Sequence, residues 1–251
     1  MLLIKVYSVM ASISKELKID GHDALLEKSE MLKVRVNEYY WNEEKGAFID
    51  SYTSGNANVT RHANIFAIMY DIVTAEQANS ILNHVLRNEN IIKITTPYFE
   101  GYELDALAKL GEYKTVEEQL TSYWGGMIGL GAKTIWEEYH PSMNGIEHYA
   151  MYSGKYEKSL CHAWGAGPIY LFGRYYLGVY ATSAGYETFT VEPKLGGLKE
   201  ICGTVPINGA TVTVRLNQEK LSVVASKAGG TLVWKGEKYT LKPNEPLIID
   251  C

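Results

Sequence analysis

Several features that would place this sequence in a large functional class are missing. No run approaches the roughly 18 consecutive apolar residues of a membrane-spanning helix, so insertion into a membrane is not expected. The basic face that nucleic-acid binding requires is absent too, because 24 Lys and Arg stand against 29 Asp and Glu, a formal net charge of -5. Cysteine is scarce: Cys161, Cys202 and Cys251 are far apart and odd in number, and make neither a disulfide framework nor a metal-ligand spacing. Among the histidines no pair sits at i and i+4 on one helix, the arrangement a helical metal site would use. The glycine-rich "GAGPIYLFG" lacks the Lys-Ser/Thr of a phosphate loop, and no Ser, Cys or His shows a nucleophile elbow. Neither a metal nor an organic cofactor is expected. No clean cleavage site follows the opening "MLLIKVYSVMASISKELKID", whose apolar residues are interrupted by Lys5, so it reads as helix and not as a targeting segment. That helix starts at Met1 with no cap or leader, and the chain is expected to begin inside a larger protein.

What is present is ordinary in bulk and unusual in one residue type. Hydrophobic residues make up 46% and charged residues 21% of 251, enough for a sizeable core and more than one structural unit. There are 19 tyrosines. Their flat apolar faces and polar tips suit helical cores and stacking on sugar rings.

Apolar residues at three- and four-residue spacings predict a helix over Leu2 to Leu17, with Leu3, Val6, Met10, Ile13 and Leu17 on its core face, broken by Asp20 and Gly21. A second helix is expected over His22 to Tyr40. "WNEEKGAFIDSYTSG" reads as a turn with a short strand-like piece. Ala63 to Val73 and "TAEQANSILNHVL" supply two more helices, the latter capped by Thr74 with Gln77 closing a capping box. Pro97 opens another that stops at Gly111, and "KTVEEQLTSYWGGMIGLG" and "SLCHAWGAGPIYLFGRYYLGVYA" complete the set. Short loops between helices of this kind indicate antiparallel hairpins. Near Ser183 the period changes to two. "YETFTVEP", "ATVTVRLNQ", "KLSVVASK", "GTLVWKGEKYTL" and "PLIID" alternate between turn signals "NG", "GG" and "KG", which predicts a small antiparallel β-sandwich. The chain is therefore mainly α with a β domain, a helical array over residues 1–182 and a sandwich over 183–251.

One stretch, "KTIWEEYHP" (Lys133 to Pro141), reads in two ways. Glu137 and Glu138 are either a solvated helix end or a catalytic carboxylate beside a sugar pocket. Trp136 is either a core filler or part of the pocket wall. His162 on an apolar helix is by default a satisfied core histidine, and Trp164 is expected in the core. Glu100 and Glu103, one helical turn apart, face either a cavity mouth or solvent.

"KTIWEEY", "SLCHAWGAGPIYLFGRYYLGV", "TRHANIFAIMYDIV", "TPYFEGYELDALAKLGEY" and "YETFTVEPKLGGLKEICGTVP" together resemble the C-terminal part of bacterial α-L-rhamnosidases of glycoside hydrolase family 78. The resemblance implies the later helices of an (α/α)6 barrel followed by a β-sandwich. It also implies hydrolysis of terminal α-L-rhamnosides with inversion by two carboxyl groups, with a rhamnose-containing oligosaccharide or glycoside as the ligand. Glu137, in a segment like Thr-Ile-Trp-Glu-Arg, is implied to be the general base; Glu138 stands where that pattern has arginine. His162 is implied to contact sugar hydroxyls, with Cys161 where the pattern has asparagine, and Trp136 to line the pocket. The family's acid belongs to an Asp-Arg-x-Glu motif that this sequence lacks, so the acid is expected upstream of Met1 and these residues alone are expected to be inactive. A periplasmic or secreted setting is implied as well. Apolar helix faces left uncovered are expected to favour a homodimer or aggregation. Two competing readings remain: a non-catalytic carbohydrate-binding module, and another (α/α)6-barrel glycosidase acting on glucuronyl or trehalose-type substrates.

Overall fold

The computed structural model describes residues 1–251. The chain divides into two compact units, Met1–Leu110 with Glu138–His140, and Gly111–Glu137 with Pro141–Cys251.

In the first unit α1 (Leu2–Glu16) packs on α2 (His22–Tyr40). Ser29 Oγ donates to the Ile4 carbonyl at 3.0 Å, which holds the two together. The helices form as their spacing predicts, but the orientation of the first is the reverse. Ile4 and Ala11 are buried, whereas Leu3, Val6, Met10, Ile13 and Leu17 are 46–63% exposed. The α2 contact lies on the narrower Ile4–Ala11 side. Periodicity identifies an apolar stripe; it does not say which neighbour the stripe meets.

β1 (Trp41–Asn42) and β2 (Ala47–Phe48) form a short hairpin. Its turn needs Gly46, because φ is +57° and a Cβ there would lie 2.3 Å from Ser80 Oγ. α3 (Arg61–Met69) ends short of Val73, since Asp71 takes φ +55°. The capping box of α4 (Ala75–Ile81) is present, with Gln77 N–H donating to Thr74 Oγ1 at 3.2 Å and Thr74 N–H to Gln77 Oε1 at 3.1 Å. Leu82–Leu86 then widens to a π turn. Pro97, which has no N–H to leave unpaired in a first turn, begins α5 (Pro97–Lys109).

Between α3 and α5 lies a charged interior. Arg61 and Glu103, each 2% exposed, pair at 2.5 Å, and Arg61 also donates to the Leu86 carbonyl at 3.1 Å. Glu100 is buried as well, so the solvated reading of Glu100 and Glu103 does not hold. Burial first, and then the neighbouring Glu103, push the Glu100 carboxyl up to about 8, with Arg61 and Lys93 opposing.

The second unit starts with α6 (Tyr113–Gly129). The expected helix over Ser159 to Ala181 is not continuous. His162 is extended, Ala163–Gly165 is a 3₁₀ turn, α7 covers Gly167–Leu171, Phe172–Tyr176 is a π turn, and β3 is Val179–Ala181. Pro168 fits only a first helical turn, which delays the start, and Gly178 at φ +68° ends the helical course. A Cβ on Gly178 would come within 2.0 Å of the Glu192 carbonyl oxygen.

Two four-stranded sheets follow. β5 (Glu200–Ile207), β6 (Ala210–Asn217), β7 (Lys220–Ala225) and β10 (Leu247–Asp250) are ordered β10-β7-β6-β5, all antiparallel. The other sheet runs β3-β4-β8-β9, from β4 (Phe189–Val191), β8 (Gly230–Trp234) and β9 (Glu237–Thr240), and its β4–β8 pair is parallel. Alternate residues fill the core: Val212, Val214 and Leu216 of β6, Leu221 and Val223 of β7, Val191 and Leu232 opposite. Glu117 ties α6 to the loop before β5, accepting from Gly197 N–H at 2.8 Å and Tyr176 Oη at 3.2 Å.

A Glu titrates near 4.3 when unfolded, so a folded carboxyl near 8 has a definite signature. The stability it permits is complete below about pH 4.3 and is lost as pH rises through the folded value. Urea unfolding of Glu100→Gln should match the parent at pH 4 and exceed it at pH 8 by roughly 1–4 kcal/mol.

Candidate active site

No regular helix carries Glu137. The segment Thr134–Glu137 runs alongside Ser159–His162, joined by backbone hydrogen bonds from Glu137 N–H to the Ser159 carbonyl at 2.9 Å and from His162 N–H to the Ile135 carbonyl at 2.8 Å. Thr134 Oγ1 adds a bond to the Leu160 carbonyl. Two stretches separated by more than twenty residues are thereby aligned, and Glu137 and His162 are brought to one place. The solvated helix-end reading of Glu137 fails, for it is 6% exposed and lies in a loop.

Each carboxylate oxygen of Glu137 has a donor. Tyr152 Oη donates to Oε1 at 2.8 Å, and Ser159 N–H donates to Oε2 at 3.1 Å. The Ser159 N–H is the larger cause and Tyr152 the second in holding the carboxyl below the usual glutamate range, with His162 and Lys158 adding positive charge. Glu137 is therefore ionised at neutral pH, with a lone pair left on each oxygen.

Around this carboxylate the loop is braced from both sides. Trp136 is 4% exposed, its ring 5.9 Å from Tyr149 and 6.2 Å from His148. Gly145–Tyr149 forms a 3₁₀ turn capped by Asn144, whose N–H donates to Glu147 Oε2 at 2.8 Å. Lys158 is buried, with Nζ 3.7 Å from Met143 Sδ and its N–H bonded to the Tyr149 carbonyl at 3.1 Å.

His162 is half-buried and sits on extended backbone, not on an apolar helix. Its ring lies 4.3 Å from that of Trp164. Trp164 is 41% exposed, which corrects its expected place in the core. The reason is the 3₁₀ turn: Trp124 Nε1 of α6 donates to the Gly165 carbonyl at 2.9 Å, fixing the turn so that the indole at 164 projects outward. An exposed indole against an imidazole offers a flat apolar face with polar edges. Tyr152 is a residue that the sequence did not single out. Its hydroxyl reaches Glu137 although its surface is 72% exposed, and only the abundance of tyrosine hinted at such a part. Cys161, Cys202 and Cys251 are all free and exposed.

The family model described as the bacterial alpha-L-rhamnosidase 6 hairpin glycosidase domain matches residues 1–176. Among solved structures the chain is similar to the GH78 family rhamnosidase of Bacillus sp. GL1, with TM-score 0.75 and 21% identity over 91% of this chain and 25% of that one. It is similar also to the native α-L-rhamnosidase of Aspergillus terreus, with TM-score 0.75 and 17% identity over 99% and 30% of the two chains. A third, the Klebsiella oxytoca rhamnosidase with rhamnose bound, has TM-score 0.61 and 21% identity over 68% and 32%. The chain thus spans about a quarter to a third of the length of these structures. No curated protein matches it.

A carboxyl depressed in the fold stabilises the protein above its unfolded value, and that contribution disappears as pH falls through the folded value. Glu137→Gln should therefore cost stability at pH 7, and the gap between variant and parent should close below about pH 4. Thermal unfolding of both across pH 3–7 checks this, because every other carboxylate cancels in the difference.

Proposed function

Given that the chain belongs to the bacterial α-L-rhamnosidase six-hairpin glycosidase family, we propose that it is the C-terminal portion of an inverting α-L-rhamnosidase acting on terminal α-L-rhamnosides. Residues 1–182 contribute later helices of the (α/α)6 barrel, and 183–251 the accessory β-sandwich. The observation that carries the reading is Glu137, an ionised carboxylate of low exposure with one fixed donor on each oxygen.

In this reading Glu137 is the general base. It takes a proton from a water, the water oxygen bonds to the anomeric carbon, and the glycosidic carbon–oxygen bond breaks on the opposite face. An acid must protonate the departing oxygen, and the two carboxyl groups need about 6.5–9.5 Å between them to admit the water. That acid is supplied from outside these 251 residues, in keeping with a chain that spans a quarter of the Bacillus rhamnosidase. Without it, turnover falls by about 10²–10⁴-fold, so these residues alone are expected to bind sugar poorly and hydrolyse almost nothing.

The remaining groups have distinct tasks. His162, half-buried beside the carboxylate, hydrogen-bonds sugar hydroxyls. Trp164 offers its exposed face to the apolar side of the ring, the methyl-bearing face of a 6-deoxy sugar included. Trp136 backs Glu137 from within as the inner wall. A second copy of the chain is the protein partner inferred, through the outward apolar row of α1.

Glu137→Gln in the complete rhamnosidase should reduce kcat on a chromogenic α-L-rhamnoside by about 10²–10⁴-fold with the fold retained. Near-normal turnover would reject the base. Rhamnose binding with no turnover in the parent enzyme would favour a non-catalytic carbohydrate-binding protein, and preference for another glycoside a different glycosidase. Sedimentation of Met10→Glu against the parent tests the dimer, which should dissociate.

A further inference from the structure

Tyr152 reaches Glu137 from an unusual stretch of backbone. Met151 and Gly154 form a tight antiparallel bridge, Met151 N–H donating to the Gly154 carbonyl at 3.1 Å and Gly154 N–H to that of Met151 at 2.9 Å. The two residues between them, Tyr152 and Ser153, have φ of +51° and +82°. Two consecutive positive φ values are the pattern of a type I′ turn, which strongly prefers Asn-Gly or Asp-Gly because side chains with a Cβ crowd the backbone there. Elsewhere in the same chain this pattern has a glycine: Lys235 and Gly236, at φ +50° and +86°, join β8 to β9. The Tyr152–Ser153 turn has none.

Burial does not account for the tyrosine. Its side chain is not part of the core, since the residue is 72% exposed and borders an open depression of about 300 Å³ along Ala150–Lys155. Its hydroxyl donates to Glu137 Oε1 at 2.8 Å. Strained residues persist where the surroundings hold them, and they cluster at functional sites.

We propose that Tyr152 is a positioning residue for the Glu137 carboxylate, held against it by a two-residue turn whose sequence trades stability for that contact. This rests on the reading of Glu137 as the base. The hydroxyl occupies one lone pair of Oε1 as Ser159 N–H occupies one of Oε2, so the carboxylate cannot rotate and its remaining lone pairs point in fixed directions. The charged groups that face the carboxylate are Lys158 and His162, and both stay in place when only the Tyr152 hydroxyl is removed.

The test uses two variants and three readouts. In Tyr152→Phe, the Glu137 titration followed by carboxyl NMR on this chain should move up by roughly one pH unit. In the complete rhamnosidase the same variant should shift the acid limb of the pH–rate profile upward with it and lower kcat about 3–30-fold with little change in KM. Ser153→Gly, which leaves the hydroxyl untouched, should raise Tm by roughly 2–4 °C and leave the Glu137 titration where it was. An unmoved Glu137 titration in Tyr152→Phe, or a lower Tm in Ser153→Gly, would overturn the proposal. The two levels separate cleanly. Lost turnover in Glu137→Gln with no titration change in Tyr152→Phe strikes the positioning role alone. Retained turnover in Glu137→Gln strikes the base, whatever Tyr152→Phe does to the titration.

Discussion

A carboxylate taken out of water has to be given hydrogen-bond donors or a counter-charge, or else it keeps its proton. Both solutions occur in this chain. Glu137 receives a backbone N–H on one oxygen and a tyrosine hydroxyl on the other, and it remains charged. Glu100, beside Glu103 and the arginine that Glu103 already engages, has its proton retained to about pH 8. The loop carrying Glu137 is arranged around the first solution: the backbone pairing of Thr134–Glu137 with Ser159–His162 delivers the N–H, and the bridge at Met151 delivers the hydroxyl. Removing either delivery lets the carboxyl rise back toward the ordinary glutamate range and frees its orientation.

Precision in such a loop has to be imported from regular elements, because loops alone are mobile. Here α6 supplies it twice. Trp124 fixes the turn at Gly165 that presents Trp164, and Glu117, seven residues earlier on the same helix, fixes the Gly197 loop ahead of the sandwich. One helix therefore sets both the aromatic beside His162 and the attachment of the β domain. This gives the sandwich a physical role beyond its own core: it steadies the helix that steadies the site.

Much of this was legible in the residues, and the failures have identifiable causes. The period switch revealed a helical part followed by strands, the Thr74–Gln77 capping box was correct to the hydrogen bond, and "NG" and "KG" mark real turns. The outward stripe of α1 was misassigned because an apolar pattern carries no information about which neighbour covers it. The long last helix was broken by Pro168 and Gly178, signals that were present but outweighed by the apolar run. The residues alone raised Glu137 as a candidate and left His162 as a core histidine by default; resemblance implied the role of each. Tyr152 stayed hidden because its significance is set by a contact 15 residues away, and Trp164 was expected in the core because the turn that turns it outward is fixed from α6.

Cys161 has a use of a different kind. It is an exposed thiol that directly precedes His162, in the segment paired with the Glu137 strand, while the two remaining thiols lie in β5 and at the last residue. With Cys202 and Cys251 replaced by serine, a maleimide dye would attach in the segment paired with Thr134–Glu137 and nowhere else. Its emission would then report changes around that paired segment in real time, without requiring the protein to turn anything over.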